Sequence, residues 1–190
     1  GYIAGGNSPY VGGSNTDIIQ KFQFSNSSNS VDIANLTIGR DTVAGQTSLT
    51  HGYTSGGIEL GFSTVIDKFP FSSDANATDV GDLTQGRSFA SGNQSGDHGY
   101  TSGGKNPGVL KVNDRFPFSS DANATDVGDI SNEAYASSGQ SSLTHGYLSG
   151  GHASSGYLNI IQKFQFSNSA TGQDVGDLTV VRDSLTGHQV

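Results

Sequence analysis

The sequence lacks cysteine, methionine and tryptophan, and only four of its 190 residues are proline. The absence of cysteine excludes disulfide bonds and zinc sites built on thiolates. No stretch approaches the roughly 20 apolar residues that cross a bilayer as a helix, so membrane insertion is not expected. Basic residues are also few, 9 against 17 acidic ones, and the formal net charge is −8. Such a surface repels phosphate backbones, which predicts no nucleic-acid partner.

Apolar residues are scarce, at 32% of the chain, which is little for a layered α/β protein with a deep core. No window shows the 3.6-residue period of an amphipathic helix, so essentially no helix is expected. Glycine, in contrast, is abundant at 28 residues. Because glycine supplies the positive φ angles of tight turns, this composition predicts many short strands joined by turns.

Three landmarks recur four times in the same order, which predicts a repeat architecture. The first is a tyrosine followed by a glycine pair, at Tyr2, Tyr53, Tyr100 and Tyr147. The second is Phe-x-Phe, which begins at Phe22, Phe69, Phe116 and Phe164. The third is an Asp-apolar-x-x-apolar stretch, which begins at Asp32, Asp79, Asp126 and Asp174. Successive Phe-x-Phe motifs are 47, 47 and 48 residues apart, which gives repeats at roughly 1–40, 41–87, 88–134 and 135–182.

Each repeat has the pattern of four strands. In the first repeat, Ile18, Gln20, Phe22 and Phe24 fall on one face with period two, the mark of a strand. The Tyr-x-x-Gly-Gly segment, the third landmark and the run before the next tyrosine, for example residues 46–50, predict the other three. We expect all four Phe pairs to be buried between neighbouring repeats.

The order of these landmarks resembles the kelch repeat, in which a glycine pair is followed by an aromatic pair and then by an arginine. Arg40, Arg87 and Arg182 lie at the matching place, whereas the third repeat has Ala134 there, and the usual kelch tryptophan is missing throughout. The resemblance implies an all-β fold, a β-propeller of about four kelch-like, four-stranded blades. It also implies a single domain over residues 1–190. Because residues 182–190 are similar to the run from Arg40 to His51 that leads into Tyr53, we expect residues 183–190 to close onto the N-terminal strand at residues 2–5. The alternative is a segment cut from a longer array of repeats.

Two loops carry oxygen side chains at alternate positions, a spacing that calcium-binding loops use. These residues are Asp74, Asn76 and Thr78 in the second repeat and Asp121, Asn123 and Thr125 in the third. The other two repeats lack the set, and no glutamate follows at the loop-closing position. We therefore favour turns in which these side chains bind their own backbone, with a metal site as the weaker alternative. No cofactor is expected.

Further polar residues also recur at equivalent positions. His51, His98 and His145 precede the Gly-Tyr motifs and could converge on a metal, but we expect each to hydrogen-bond within its own repeat. Basic residues at one strand position are expected to form ordinary surface pairs: Lys21, Lys68, Arg115 and Lys163. Five Asn-x-Ser/Thr sequons arise from the composition, at Asn26, Asn35, Asn76, Asn93 and Asn123.

The eye-catching acids and histidines recur by repeat symmetry, whereas a catalytic site is normally one asymmetric cluster. We therefore expect no catalytic residues and no enzyme. The text of the repeats is similar to structural and fibre proteins of environmental bacteriophages. That resemblance implies an extracellular or virion module that contacts particle or tail-fibre subunits, or a cell-surface glycan as receptor. The alternative is a secreted carbohydrate-binding propeller lectin, with a glycosidase well behind.

Overall fold

The computed structural model describes residues 1–8, 14–168 and 170–188. These residues form 21 β-strands and no helix, which confirms the all-β prediction. It follows that no helix in the described ranges is long and apolar enough to cross a membrane.

Each repeat forms one antiparallel sheet whose strands follow chain order, and we number the repeats units 1 to 4. Unit 1 has three strands, β1 (Tyr2–Ala4), β4 (Ile18–Lys21) and β5 (Val31–Asn35). Unit 2 has four, β6 (Ala44–Thr47), β7 (His51–Ser55), β8 (Val65–Pro70) and β9 (Thr78–Asp82). Unit 3 has β10 (Ser91–Gln94), β11 (His98–Ser102), β14 (Val112–Pro117) and β15 (Thr125–Asp129). Unit 4 has β16 (Ser138–Ser141), β17 (His145–Ser149), β20 (Ile160–Gln165) and β21 (Gln173–Asp177).

Short hairpins follow the glycine pairs of three units, and the sequence analysis did not anticipate them. They are β2 (Asn7–Ser8) with β3 (Ser14–Asn15), β12 (Lys105–Asn106) with β13 (Gly108–Val109), and β18 (His152–Ala153) with β19 (Gly156–Tyr157). In the main sheets, the three strands of unit 1 correspond to the second, third and fourth strands of the other units. The first-strand position is filled by β6, β10 and β16, and β6 begins two residues before the range expected for it.

The Gly-Tyr motif is explained by the aromatic ring opposite it. Gly52 pairs with Phe69 across β7 and β8, and a Cβ at Gly52 would lie 2.3 Å from that ring. Only glycine therefore lets the ring lie flat on the strand. The glycine pair then ends the second strand, as predicted, because Gly56 has a φ of 67° and a side chain there would meet the carbonyl oxygen of Arg87.

The alternation predicted for the third strand is confirmed in β8, where Asp67 and Phe69 face unit 1 and Ile66 faces unit 3. The register of β8 shifts between Ile66 and Asp67, and both side chains are fully buried. The same irregularity occurs at the equivalent place in β4, β14 and β20. The extra residue of this bulge lies in the fourth strand, since Ile66 pairs with Gly81 and Asp67 pairs with Asp79. Ile66 and Asp67 are both buried because both faces of the sheet are covered by neighbouring units.

The core lies between the units, in three apolar clusters that we call junction 1 (units 1 and 2), junction 2 (units 2 and 3) and junction 3 (units 3 and 4). In each, a tyrosine of one unit packs on the Phe pair of the next. The burial predicted for the Phe pairs is confirmed at Phe69, Phe116 and Phe164. It is wrong for the first pair, since Phe24 is 86% exposed and has no preceding unit against it.

The expected pairing of the C-terminal segment with residues 2–5 is not formed by residues 183–188; Gln189 and Val190 lie outside the described residues. Ser184 N donates to Ala136 O, and Gly151 N donates to Arg182 O, so the segment lies along unit 4. No strand of the first sheet is hydrogen-bonded to a strand of the fourth in the described ranges.

Candidate functional site

The aspartates and asparagines of the two loops considered for calcium, which we expected to bind their own backbone, contact the preceding unit. Asp74 accepts a hydrogen bond from Lys21 Nζ at 2.5 Å, and Asp121 accepts one from Lys68 Nζ. These pairs bear out ordinary surface pairing for two of the four basic positions. The carboxylates of the two loops therefore face lysines of the preceding units, each at a different junction.

The asparagines of these loops have the same role. Asn76 Oδ1 accepts the backbone N–H of Asn35 at 3.0 Å, and Asn123 Oδ1 accepts that of Asp82 at 3.1 Å. Thr125 Oγ1 donates to Arg115 O at 3.5 Å, and Thr78 begins β9. Asp74 and Asn76 thus belong to junction 1 and Asp121 and Asn123 to junction 2, whereas Thr125 bonds within unit 3. In the described part of the chain, no group of three or more His, Asp or Glu side chains could hold a metal ion.

The histidines do not converge, and each bonds to the residue before it, as predicted. His51 Nδ1 lies 2.8 Å from Thr50 Oγ1, and His98 Nδ1 lies 2.9 Å from Asp97 Oδ1. His145 repeats the contact of His51. Burial lowers the pKa of His51, and the positive charge of Lys68 acts in the same direction.

Two arginines of the repeat are fully buried in ion pairs with the next unit. Arg40 donates to the Asp67 carboxylate at 2.8 Å and to the carbonyl oxygens of Gly56 and Val65 at 3.0 and 2.8 Å. Arg87 makes the same pair with Asp114 at 2.7 Å. Burial lowers the pKa of both arginines, and the paired carboxylate opposes that effect. With no exposed surface, these pairs are structural.

The sequence analysis noted the arginines but missed their partners. The available signal was covariation between consecutive repeats. Wherever one repeat has the arginine, the next has an aspartate in its third strand, as in Arg40 with Asp67. In the third repeat Ala134 replaces the arginine, and the fourth has Gln162 instead of an aspartate.

A pocket of about 410 Å³ opens at the edge between units 3 and 4. Asp97, His98, Arg115 and Phe166 line it, and we call it the rim pocket. Asp97 stands where units 2 and 4 have threonine, at Thr50 and Thr144. The expectation that the acids and histidines recur by symmetry is therefore wrong here. Comparing the copies position by position would have found it.

Asp97 is held ionised by its neighbours. It accepts hydrogen bonds from His98 Nδ1 and Ser95 Oγ, both at 2.9 Å, and these lower its pKa, with the histidine contributing more. The serine hydroxyl donates to the carboxylate and not to the imidazole, so the three do not form a nucleophilic relay. A carboxylate, an imidazole and a guanidinium around one pocket suit a ligand with several hydroxyl groups.

A second cavity, of about 470 Å³, lies between units 1 and 2. It is bordered by Tyr2 and Ala4 of β1, by Gly45 and Thr47 of β6, and by Phe71. In the other units a first strand occupies the equivalent place, beside the second strand and against the next unit. We call this cavity the strand groove.

Comparison with known proteins gives no family assignment for the chain. No protein-family model matches the sequence, and no curated protein matches it. The functional argument therefore depends on the repeat pattern, the junctions, the rim pocket and the strand groove.

Proposed function

We propose that the chain is a β-propeller-type module of about four kelch-like blades with a structural or receptor-binding role in an extracellular particle, such as a phage tail fibre, and without catalysis. Its partners are other subunits of that particle or a cell-surface glycan. The observation that carries the proposal is how the recurring polar groups are used. The lysines, the loop aspartates and asparagines, and two arginines all hold one unit to the next.

Because these polar groups join neighbouring units, they favour a rigid binding platform over a catalytic site. Buried pairs and aromatic contacts fix the sheets, while loops at the edges remain free for recognition. Leu49 and Leu143, at equivalent loop tips of units 2 and 4, are each 97% exposed. Exposed side chains on loops held by a rigid frame are typical of binding modules.

The particle assignment is tested by locating the chain. Virions banded by density from the source sample would be digested with trypsin and searched for peptides of this sequence. We expect the peptides in the particle band. Peptides only in the dissolved fraction would contradict the assignment and favour a secreted lectin.

The rim pocket favours the lectin as the second candidate function. Sugar hydroxyls donate to carboxylates and accept from guanidinium groups, and Asp97 and Arg115 offer both within one pocket. A glycan array would compare the wild type with Asp97→Thr, which restores the residue of the neighbouring repeats. Loss of glycan binding in this variant supports the lectin. Equal binding by both proteins would exclude the rim pocket as the sugar site.

A further inference from the structure

The N-terminal side of unit 1 carries the groups that, in units 2 to 4, contact the preceding unit across a junction. Phe22 and Phe24 contact each other edge to face at 5.3 Å, as the Phe pairs of the other units do, but Phe24 is 86% exposed. Asn29 stands at the position of Asn76 and Asn123, which accept backbone N–H groups of the preceding unit. Unit 1 therefore carries the aromatic and amide groups that would bind a preceding unit.

The C-terminal side of unit 4 carries the groups that, in units 1 to 3, contact the following unit across a junction. Val175 is 45% exposed, whereas Val80 and Val127 at the equivalent positions are 8% and 6% exposed. Tyr147 matches the tyrosines that stack on Phe71, Phe118 and Phe166 of the following units. Arg182 is exposed, although Arg40 at the same position is fully buried.

Residues 182–184 already follow the path that leads into a first strand. Positive φ angles recur at one position in every repeat: Thr42, Phe89, Ala136 and Ser184, at 52°, 54°, 52° and 53°. Backbone hydrogen bonds join these positions from unit to unit, and the last runs from Ser184 N to Ala136 O. The segment thus enters beside unit 4 as β16 enters beside unit 3. Further on it departs from that path, since a Cβ at Gly187 would first meet the side chains of Gln140 and Ser138, whereas one at Gly139 would first meet Gly92 O.

The strand groove shows where such a segment would fit. In the interior, a Cβ on Gly92 would lie 2.1 Å from Gly45 O, and one on Gly139 would lie 2.2 Å from Gly92 O. At Gly45 itself the same position is open, with nothing within 4 Å. The repeat alignment places Gly187 at the position of Gly45, Gly92 and Gly139. The backbone of a docked Gly187 would therefore contact Gly45 as the backbone of Gly45 contacts Gly92.

We propose that a second copy of this chain docks head to tail, its residues 186–188 pairing with β1 in the strand groove and its unit 4 covering Phe22 and Phe24. The docked segment would complete the four-stranded sheet of unit 1 by β-strand addition. The occupant is identified by continuity, since junctions 1 to 3 already join such halves within the chain. The docked copy's Arg182 would meet Gln20 at the position where Arg40 and Arg87 meet aspartates. The contact is heterologous, so it extends into rings or filaments.

The pairing register follows from unit 2. There Ala44 pairs with Ser55 and Gln46 pairs with Tyr53. The equivalent pairs between copies are Thr186 with Ala4 and His188 with Tyr2. The inference is independent of the particle or glycan partner proposed above.

The test uses two complementary variants of the 190-residue chain. Phe24→Asp blocks the N-terminal half and Val175→Asp blocks the C-terminal half, and both side chains are exposed enough to leave the fold intact. In sedimentation velocity over a concentration series, the wild type should associate reversibly. Each variant alone should associate at least about tenfold more weakly. An equimolar mixture should form a 1:1 dimer that grows no further, because each variant keeps one intact half.

Gly45→Ala is a sharper probe with a matched control. Its new methyl group has open space in the single chain but would meet Gly187 O of the docked copy, so association should weaken while the melting temperature stays unchanged. Gly61→Ala, also with nothing within 4 Å, should change neither. A wild type that is monomeric at every concentration, or a variant mixture without a dimer, would overturn the proposal. Ring closure within one chain would instead lower the melting temperature of the variants without changing the mass.

Discussion

Junctions 1 and 2 differ from junction 3 in the polar groups that they bury. In the first two, an arginine of one unit pairs with an aspartate of the next, and both side chains are fully buried. In junction 3, Ala134 and Gln162 occupy these positions, and Ser131 Oγ and the backbone N–H of Asn132 donate to the glutamine oxygen. The aromatic contacts between tyrosine and phenylalanine are the same in all three.

In junction 3 both members of the ion pair are replaced together. Removing one member would leave a buried charge without its partner, which costs far more than replacing both by neutral groups. Junction 3 also gains apolar packing, because Leu148 stands where units 2 and 3 have Thr54 and Thr101, and it belongs to the same buried cluster as Ala134. The aromatic core is therefore the shared element, and the charged pair is an optional addition.

The comparison is tested most strongly by removing one carboxylate. Asp114→Ala should lower the free energy of unfolding by about 3–5 kcal/mol, since Arg87 remains buried and unpaired. Gln162→Ala in junction 3 should cost only about 1–3 kcal/mol, the penalty of unsatisfied neutral donors. Urea unfolding followed by circular dichroism measures both, because the chain has no tryptophan. Equal losses would show that the charge does not distinguish the junctions.

Truncating the shared aromatic core should affect both kinds of junction alike. Phe116→Ala in junction 2 and Phe164→Ala in junction 3 should each cost about 3–5 kcal/mol, because both rings are almost fully buried. Phe24→Ala is the matched control, and its exposed ring should contribute less than about 0.5 kcal/mol to a single chain. Thermal and urea unfolding at low protein concentration provide the measurement. A large loss for Phe24→Ala would mean that another surface covers that ring.

Replacing the whole ion pair should convert junction 2 towards junction 3. The double variant Arg87→Ala with Asp114→Gln should lose about 1–2 kcal/mol, less than Asp114→Ala alone, because no buried charge remains. A double-mutant cycle with the two single substitutions then gives their coupling free energy. Additive effects would contradict the explanation offered for the Ala134 and Gln162 exchange.

The sequence predicted the repeats, the strands, the absence of helix and the burial of three Phe pairs, because these depend on local periodicity. It missed the partners of Arg40 and Arg87, although the alternation placed Asp67 and Asp114 on the Phe face, because strand periodicity does not show which residue of the preceding unit meets that face. It also missed Asp97, because this residue differs from the threonines at the equivalent positions of units 2 and 4 and so belongs to no recurring motif. The pairing expected between the C-terminal segment and residues 2–5 is not among the hydrogen bonds of residues 183–188, and Ser184 bonds to unit 4 instead.

The smallest effect concerns the exposed pairs at the edges of the junctions. Lys68→Ala removes the contact with Asp121 in junction 2, and we expect a loss of no more than about 1 kcal/mol, because water screens both groups. The loss should shrink further as salt is raised, whereas the loss from Asp114→Ala should hardly change, since buried pairs are little screened. Unfolding midpoints of the two variants and the wild type, compared at low and high salt, separate the two cases. A salt-insensitive loss at Lys68 would show that this edge pair acts as part of the buried junction.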